Sequence, residues 1–321
     1  MAVAVNPTEA RFPAVPAKAG HYESFYLKLC RPGEPLGAWI RYTVRKRPGE
    51  APVGSLWFTL FEAAGPRASK VTLPAPAAGQ GGRWLRIGEA SIGEGMAVGE
   101  TEAGAAWDLR FEAAEPPLFH LPRAWMYRTP LPRTKLLSPA PAARFDGRLS
   151  VDGREIAVDG WRGMVGHNWG AQHAERWIWL HALASGGAWL DAAIGKVRIG
   201  PLVTPWVGNG AISIDGRRYA LGGPGVEVRE TPNRCEFLIR GRGVAVRGTV
   251  SAPSDRFVGW TYADPDGSEH HTVNCSIADM HATVERKGRP PLELVVRDGA
   301  AYELGMRERD HGIVIQPYPD G

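Results

Sequence analysis

Apolar and polar residues alternate along most of this chain with a period of two. From Ala106 to Glu112 the charged residues Asp108, Arg110 and Glu112 take every second place, the mark of a strand with one face in a core and one in water. Leu56, Phe58 and Leu60 alternate with Trp57 and Thr59, so both faces of that strand are largely apolar and it is expected to be covered on both sides. Further strands are predicted at 39–44, 84–87, 145–151 and 156–158, then at 177–184, 188–199, 211–214, 226–230, 236–240, 244–250, 257–262, 272–284, 292–296 and 301–306. Asp-Gly turns beginning at Asp146, Asp152, Asp215, Asp266 and Asp298 punctuate them. No segment has the period of a long amphipathic helix, so the pattern predicts an all-β chain of sandwiches or barrels.

Residues 116–141 break the pattern. Pro116, Pro117, Pro122, Pro130, Pro132, Pro139 and Pro141 remove backbone donors there, which predicts a long crossing or lid loop rather than a central strand. A boundary near Gly170 leaves enough strands on each side for two closed sheets, and 321 residues fit two domains. The expected organisation is a flexible tail over 1–20, one barrel over 21–170 and another over 171–321.

Composition narrows the function classes. The net charge is +4, but no block of five or more like charges occurs, so nucleic acid is not an expected partner. Cys30, Cys235 and Cys275 are sparse and odd in number, as in a reduced cytoplasmic protein. Residues 1–20 lack a basic-then-apolar leader pattern, and no run of about 18 apolar residues could span a bilayer. The 12 Trp are many for this length; indoles fill cores or line aromatic pockets.

Candidate chemistry concentrates in residues 161–191, which hold His167, His173 and His181 with Trp161, Trp169, Trp177, Trp179 and Trp189. Trp177, Trp179 and His181 share one strand face, and Ile178, Leu180 and Ala182 the other. A three-residue loop at Ser185-Gly186-Gly187 sets His181 opposite Asp191; a two-residue loop would set Leu180 there. Asp191, flanked by Trp189, Leu190, Ala192 and Ala193, is expected to be desolvated with a raised pKa, able as a neutral acid to protonate an alkene or epoxide. The competing reading is a His–Asp hydrogen bond that only pins two strands. His167-Asn168-Trp169-Gly170 is read as a segment between strands, with His167 projecting into a pocket where the barrels meet or, alternatively, with Trp169 stapling a corner. The spacing His167-x5-His173-x7-His181 matches no zinc pattern, and the Gly-rich run 79–82 lacks the Lys-Ser/Thr of a phosphate loop, so neither metal nor cofactor is expected. His270-His271, after an Asp-Gly turn, is read as solvated.

His21-Tyr22-Glu23-Ser24-Phe25-Tyr26, Trp39-Ile40-Arg41-Tyr42, Gly54-Ser55-Leu56-Trp57 and above all Gly166-His167-Asn168-Trp169-Gly170 followed by Trp177-Ile178-Trp179 resemble the carotenoid 1,2-hydratase (AttH-like, hydroxyneurosporene-synthase-like) superfamily, which takes in tocopherol cyclase-like members. The resemblance implies two consecutive lipocalin-like (calycin) antiparallel barrels and cofactor-independent hydration, cyclisation or isomerisation of terpenoids, polyenes or polyketides. It implies a site of His167 and Trp169 with Trp189 and Asp191, where Trp189 stands in place of the family's usual Tyr. The expected enzyme uses Asp191 as proton donor, His181 or His167 as its partner, and Asn168, Trp169, Trp177, Trp179 and Trp189 around a hydrophobic small molecule. The alternative is a non-catalytic binding or transfer protein for such a ligand. A greasy substrate also implies peripheral membrane contact for its pickup; no pattern fixes an oligomeric state.

Overall fold

The computed structural model describes residues 5–319. Its strands form two large antiparallel sheets, one from residues up to Gly170 and one from Arg176 onward. In the first, the strand His21–Cys30 lies between Leu36–Lys46 and the long strand Arg154–Gly170, which pairs on its other side with Thr134–Val151. This sheet curls around a core of Phe25, Leu27, Ile40, Tyr42, Leu109 and Trp107 but stays open between its two terminal strands. The second sheet closes: Arg217–Gly223 meets Arg234–Gly241 through Leu221 and Gly241, giving a barrel of eight strands. The chain is thus all-β, with two consecutive barrels, one partly open and one closed.

The strand Val53–Glu62 is buried on both faces, as its sequence predicts: Leu56, Phe58 and Leu60 enter the first core, while Trp57 and Phe61 pack across the junction with the second. Trp57 stands edge-on to Trp260 at 5.1 Å and Tyr262 at 5.6 Å. Part of the Trp excess therefore welds the barrels together through aromatic contacts.

Two expectations change. Thr134–Val151 is a strand despite Pro139 and Pro141, because the pairing with Arg154–Gly170 shifts register between Leu137 and Ala140 and again before Ala143, where missing donors do no harm. The non-strand stretch expected over 116–141 is confined to residues before Thr134, and Leu118–Phe119 within it also pairs as a strand. Residues 5–20 also do not hang free. Phe12 is buried in the first core, and the carboxylate of Glu23 accepts hydrogen bonds from the backbone N–H of Arg11 (2.8 Å) and Phe12 (2.8 Å). Residues 1–4 of the expected tail lie outside the described residues.

Cross-strand glycines make room for aromatic rings at the junction. A Cβ on Gly166 would fall 2.1 Å from Cζ of Tyr26, its partner across the ladder. One on Gly305 would fall 2.2 Å from the indole of Trp177, again its cross-strand partner. Gly166→Ala should therefore cost about 1–3 kcal/mol by overpacking and displace the Tyr26 ring, read as a lowered urea midpoint.

Glu23 supplies a second prediction. Burial pushes its pKa up, but the hydrogen bond from His167 and the nearby imidazole of His21, at 3.6 Å, outweigh it and hold the pKa at about 2 against an ordinary 4.5. A depressed carboxylate pKa stabilises the fold fully above the unfolded value, and the contribution fades as pH falls toward the folded one. The share of stability that Glu23 contributes should fall by about 3 kcal/mol between pH 4.5 and 2, and Glu23→Gln should flatten the acid limb of the urea midpoint against pH by that share.

Candidate active site

The hairpin joining Arg176–Leu183 to Trp189–Lys196 has the three-residue loop that its sequence predicts. Ala184 N–H donates to Ala188 O (2.8 Å), and Gly187, at φ +84°, donates to Ala184 O (3.0 Å). His181 consequently lies opposite Asp191. Ile178, Leu180 and Ala182 fill the second barrel, whereas Trp179 packs outward against Tyr26 and Met164 of the first.

Asp191 is wholly buried. Its Oδ2 accepts from Ser138 Oγ at 2.5 Å and its Oδ1 from Trp179 Nε1 at 3.2 Å. Nε2 of His120 stands 3.3 Å from Oδ1, at ion-pair distance though off the hydrogen-bond line. Burial pushes the carboxyl pKa up, but His120, His181 and the Ser138 hydroxyl outweigh it, so Asp191 sits below the ordinary carboxylate range. The expected rise in pKa is reversed, because two hydrogen-bond donors, Ser138 and Trp179, and the imidazole of His120 converge on the carboxylate from three segments.

Neither expected histidine is its direct partner. His181 donates from Nε2 to Pro141 O (2.9 Å), and burial, reinforced by Lys28, lowers its pKa to about 4. It is a neutral ring tied to backbone. His167 points away from the junction. It lies inside the strand Arg154–Gly170, not between strands, and the pleat sends Val165 and His167 into the first barrel and Gly166 toward Tyr26. Its Nε2 is 2.8 Å from Glu23 Oε1 and its Nδ1 is 2.9 Å from Pro7 O, with the ring stacked on Phe25 at 3.9 Å.

A cavity of about 1320 Å³ opens at the junction, larger than the usual ligand pocket of roughly 300–1,000 Å³. Tyr26 and Asn168 of the first barrel face Trp177 and Trp179 of the second across it, and it reaches Ile178 and Leu221 inside the second barrel. The segment between Leu118 and Arg133 forms one wall and contributes His120. Of the residues expected at the ligand, Asn168, Trp177 and Trp179 line this cavity. Trp169 packs instead on Tyr127 and Leu137 under Arg11, and Trp189 donates from Nε1 to Glu115 (2.8 Å) beneath Arg218.

Two further polar clusters flank the cavity. Glu303 accepts from Trp177 Nε1 (2.9 Å), Tyr262 OH (3.2 Å) and Asn274 Nδ2 (3.0 Å). Tyr26 feels both acids: burial, then the charges of Asp191 and Glu303, drive its pKa well above the ordinary value, so it remains a neutral phenol. His173 Nδ1 lies 2.7 Å from Asp264 Oδ1, and His270 joins them, with one donor atom from each residue within 4.8 Å of the others. His270 is buried rather than solvated, and both its ring nitrogens lack a hydrogen-bond partner. These three, rather than His167, His173 and His181, are the set whose donors could share a metal ion among the described residues. His120 escapes sequence reading because a lone His in a proline-rich loop carries no spacing. Glu303 does carry a signal, a single acid in the apolar run Ala300-Ala301-Tyr302-Glu303-Leu304.

No family model matches the chain. It is 30% identical over 296 residues to the uncharacterized protein Rv0493c of Mycobacterium tuberculosis H37Rv, and equally to MT0513 of strain CDC 1551, covering 88% of this chain and 87% of each relative. An AttH candidate from Nitrosomonas europaea superposes with a TM-score of 0.57 at 12% identity, covering 96% of this chain and 99% of that one. Kievitone hydratase from Nectria haematococca does so with 0.60 at 11% identity, covering 95% and 93%. The chain belongs to the family of Rv0493c and is built on the two-barrel fold of AttH and kievitone hydratase.

Proposed function

We propose that this protein is an enzyme that moves a proton to and from a hydrophobic, unsaturated small molecule, with hydration, cyclisation or isomerisation as the outcome. The observation that carries this reading is a wholly buried carboxylate, Asp191, held by Ser138 and Trp179 beside a histidine on the cavity wall. An imidazole has one nitrogen that can donate and one that can accept a proton, which suits it to pass protons in both directions. His120 is the catalytic residue, since it lines the cavity; Asp191 is not on the wall and acts as a positioning residue that orients the ring and balances its charge.

The step runs as acid catalysis. Protonated His120 forms a C–H bond to one alkene carbon of a terpenoid, polyene or polyketide, leaving positive charge on the next carbon. The faces of Trp179, Trp177 and Tyr26 line the cavity where that charge develops, and π faces attract cations. Capture by water gives hydration, attack by a second alkene gives cyclisation, and loss of a neighbouring proton gives isomerisation; in each case a proton returns to His120. That a solved neighbour of the same fold is by name a hydratase supports this class of reaction, as fold-level analogy.

Purified protein should be incubated with prenylated phenols and polyenes in D2O and in H2-18O, and the products read by mass spectrometry. Deuterium at carbon, with or without 18O, is the expected result. His120→Ala and Asp191→Asn should each lower kcat by about 100-fold or more, with added imidazole restoring part of the loss only in His120→Ala. A tightly retained apolar ligand recovered without isotope would sink the catalytic reading. It would favour a carrier, for which the volume and apolar walls of the cavity are also suited.

A further inference from the structure

The exposed apolar side chains of this protein are not scattered. Among the described residues, six of the eight large hydrophobics that stand exposed belong to two short segments: Phe119 (41%), Trp125 (59%) and Leu131 (58%) in one, Ile199 (58%), Leu202 (72%) and Val203 (40%) in the other. Both segments border the same opening, since Phe119, Trp125, Leu131 and Ile199 all line the cavity. Trp125 rides on the 3-10 turn Ala124–Tyr127, and Leu202 and Val203 form one arm of the two-stranded ribbon with Arg198 and Ile199. An exposed indole and an exposed leucine at the mouth of a cavity are costly in water unless something covers them.

Charge identifies the cover. Residues 118–133 contain Arg123, Arg128 and Arg133 and no Asp or Glu; residues 196–206 contain Lys196 and Arg198 and again no acid. Arg123 and Arg128 are exposed, and neither forms an ion pair among the described residues. Two acids border these segments, and both are already engaged: Glu115 with Arg218 at 2.8 Å and Glu175 with Arg198 at 2.9 Å. A rim that joins Trp and Leu to unpaired Arg matches the interface of an anionic bilayer, where apolar tips enter the acyl boundary and guanidinium groups meet phosphates.

We propose that this rim docks on an anionic lipid surface, so that the cavity faces the membrane and takes its apolar ligand from it. The proposal rests on the preceding reading only for the greasy nature of the ligand. Docking aims the opening at the bilayer, and the ligand passes between the two segments without crossing water. The wall residue His120 sits in the same segment as Trp125, which brings the proton-transfer group close to the point of entry.

The test uses the full chain and sedimentation with vesicles that hold no substrate, made of phosphatidylcholine alone or with about 30% phosphatidylglycerol. Expected are at least about tenfold stronger binding to the anionic vesicles, release by raised salt, and about tenfold losses in Leu202→Asp and in the double variant Arg123→Glu/Arg128→Glu. None of these side chains lines the cavity, and the thermal midpoint of each variant verifies folding. The proposal is overturned by equal binding to neutral and anionic vesicles, by no binding to either, or by binding that both variants leave unchanged. A concentration-dependent dimer abolished by Leu202→Asp would also overturn it, since a second copy would then be the cover. Because no turnover is read, failure here leaves the isotope experiment on the enzyme untouched, and the reverse also holds.

Discussion

The structure depends on strands that must satisfy two interiors at once. Successive side chains of a strand point to opposite faces, so at the junction of two barrels every second residue enters a core and the others meet the neighbouring barrel. His21–Cys30 shows the consequence: Phe25, Leu27 and Leu29 fill the first barrel, while Tyr26 packs on Trp179 and Cys30 donates from Sγ to Ser276 O (3.0 Å) in the second. A register slip of one residue would exchange these sets and put Phe25 where Tyr26 belongs. Gly166 and Gly305 enforce the register from the other direction, because only a residue without a side chain leaves space for the rings of Tyr26 and Trp177.

Two-sided burial also explains where the ionisable groups stand. A buried charge left without a partner costs about 3–5 kcal/mol, so each acid at the junction draws donors from several segments. Asp191 collects hydrogen bonds from Ser138 on a strand of the first barrel and Trp179 on the second, with the imidazole of His120, from the loop before Thr134–Val151, at ion-pair distance. The carboxylate thereby fixes that loop against both barrels, and the same convergence that keeps it ionised shapes one wall of the cavity. Glu303 plays the matching part with Trp177, Tyr262 and Asn274.

The fold was legible in the sequence wherever period two and turn chemistry act locally. The hairpin at Ser185-Gly186-Gly187 and the pairing of His181 with Asp191 follow from alternation and from the left-handed Gly187, with no long-range information needed. The two-sided burial of Trp57 was legible for the same reason. What alternation cannot supply is which barrel a face meets. His167 and Asn168 are neighbours in sequence, yet one enters the first barrel beside Glu23 and the other lines the cavity. The protonation state of Asp191 was equally out of reach: its flanking apolar residues report burial, whereas the decisive groups, Ser138 and His120, lie 53 and 71 positions away (191 − 138 and 191 − 120). Proline counting misjudged Thr134–Val151 because bulges let a strand carry proline without losing its ladder.

The distribution of charge around the cavity constrains how a ligand can sit. Two acids and their partners lie where the barrels meet: Asp191 with His120, and Glu303 with Trp177 and Tyr262, and Tyr26 feels the charge of both. Ile178, Ile194 and Leu221 give the wall inside the second barrel apolar stretches, although Asn209, Arg218 and Arg242 also line the cavity. A long hydrocarbon gains from entering the second barrel and loses nothing there, whereas an oxygen-bearing end would forfeit its hydrogen bonds unless it stays near the junction. On the proposed reading, burial would drive such a tail inward and the polar end would meet the phenol of Tyr26, which as a neutral group can both donate and accept. If the proposed proton transfer takes place here, orientation would come from this asymmetry rather than from a tight shape match, and a cavity of this volume could still bring one bond of a flexible molecule to the imidazole of His120.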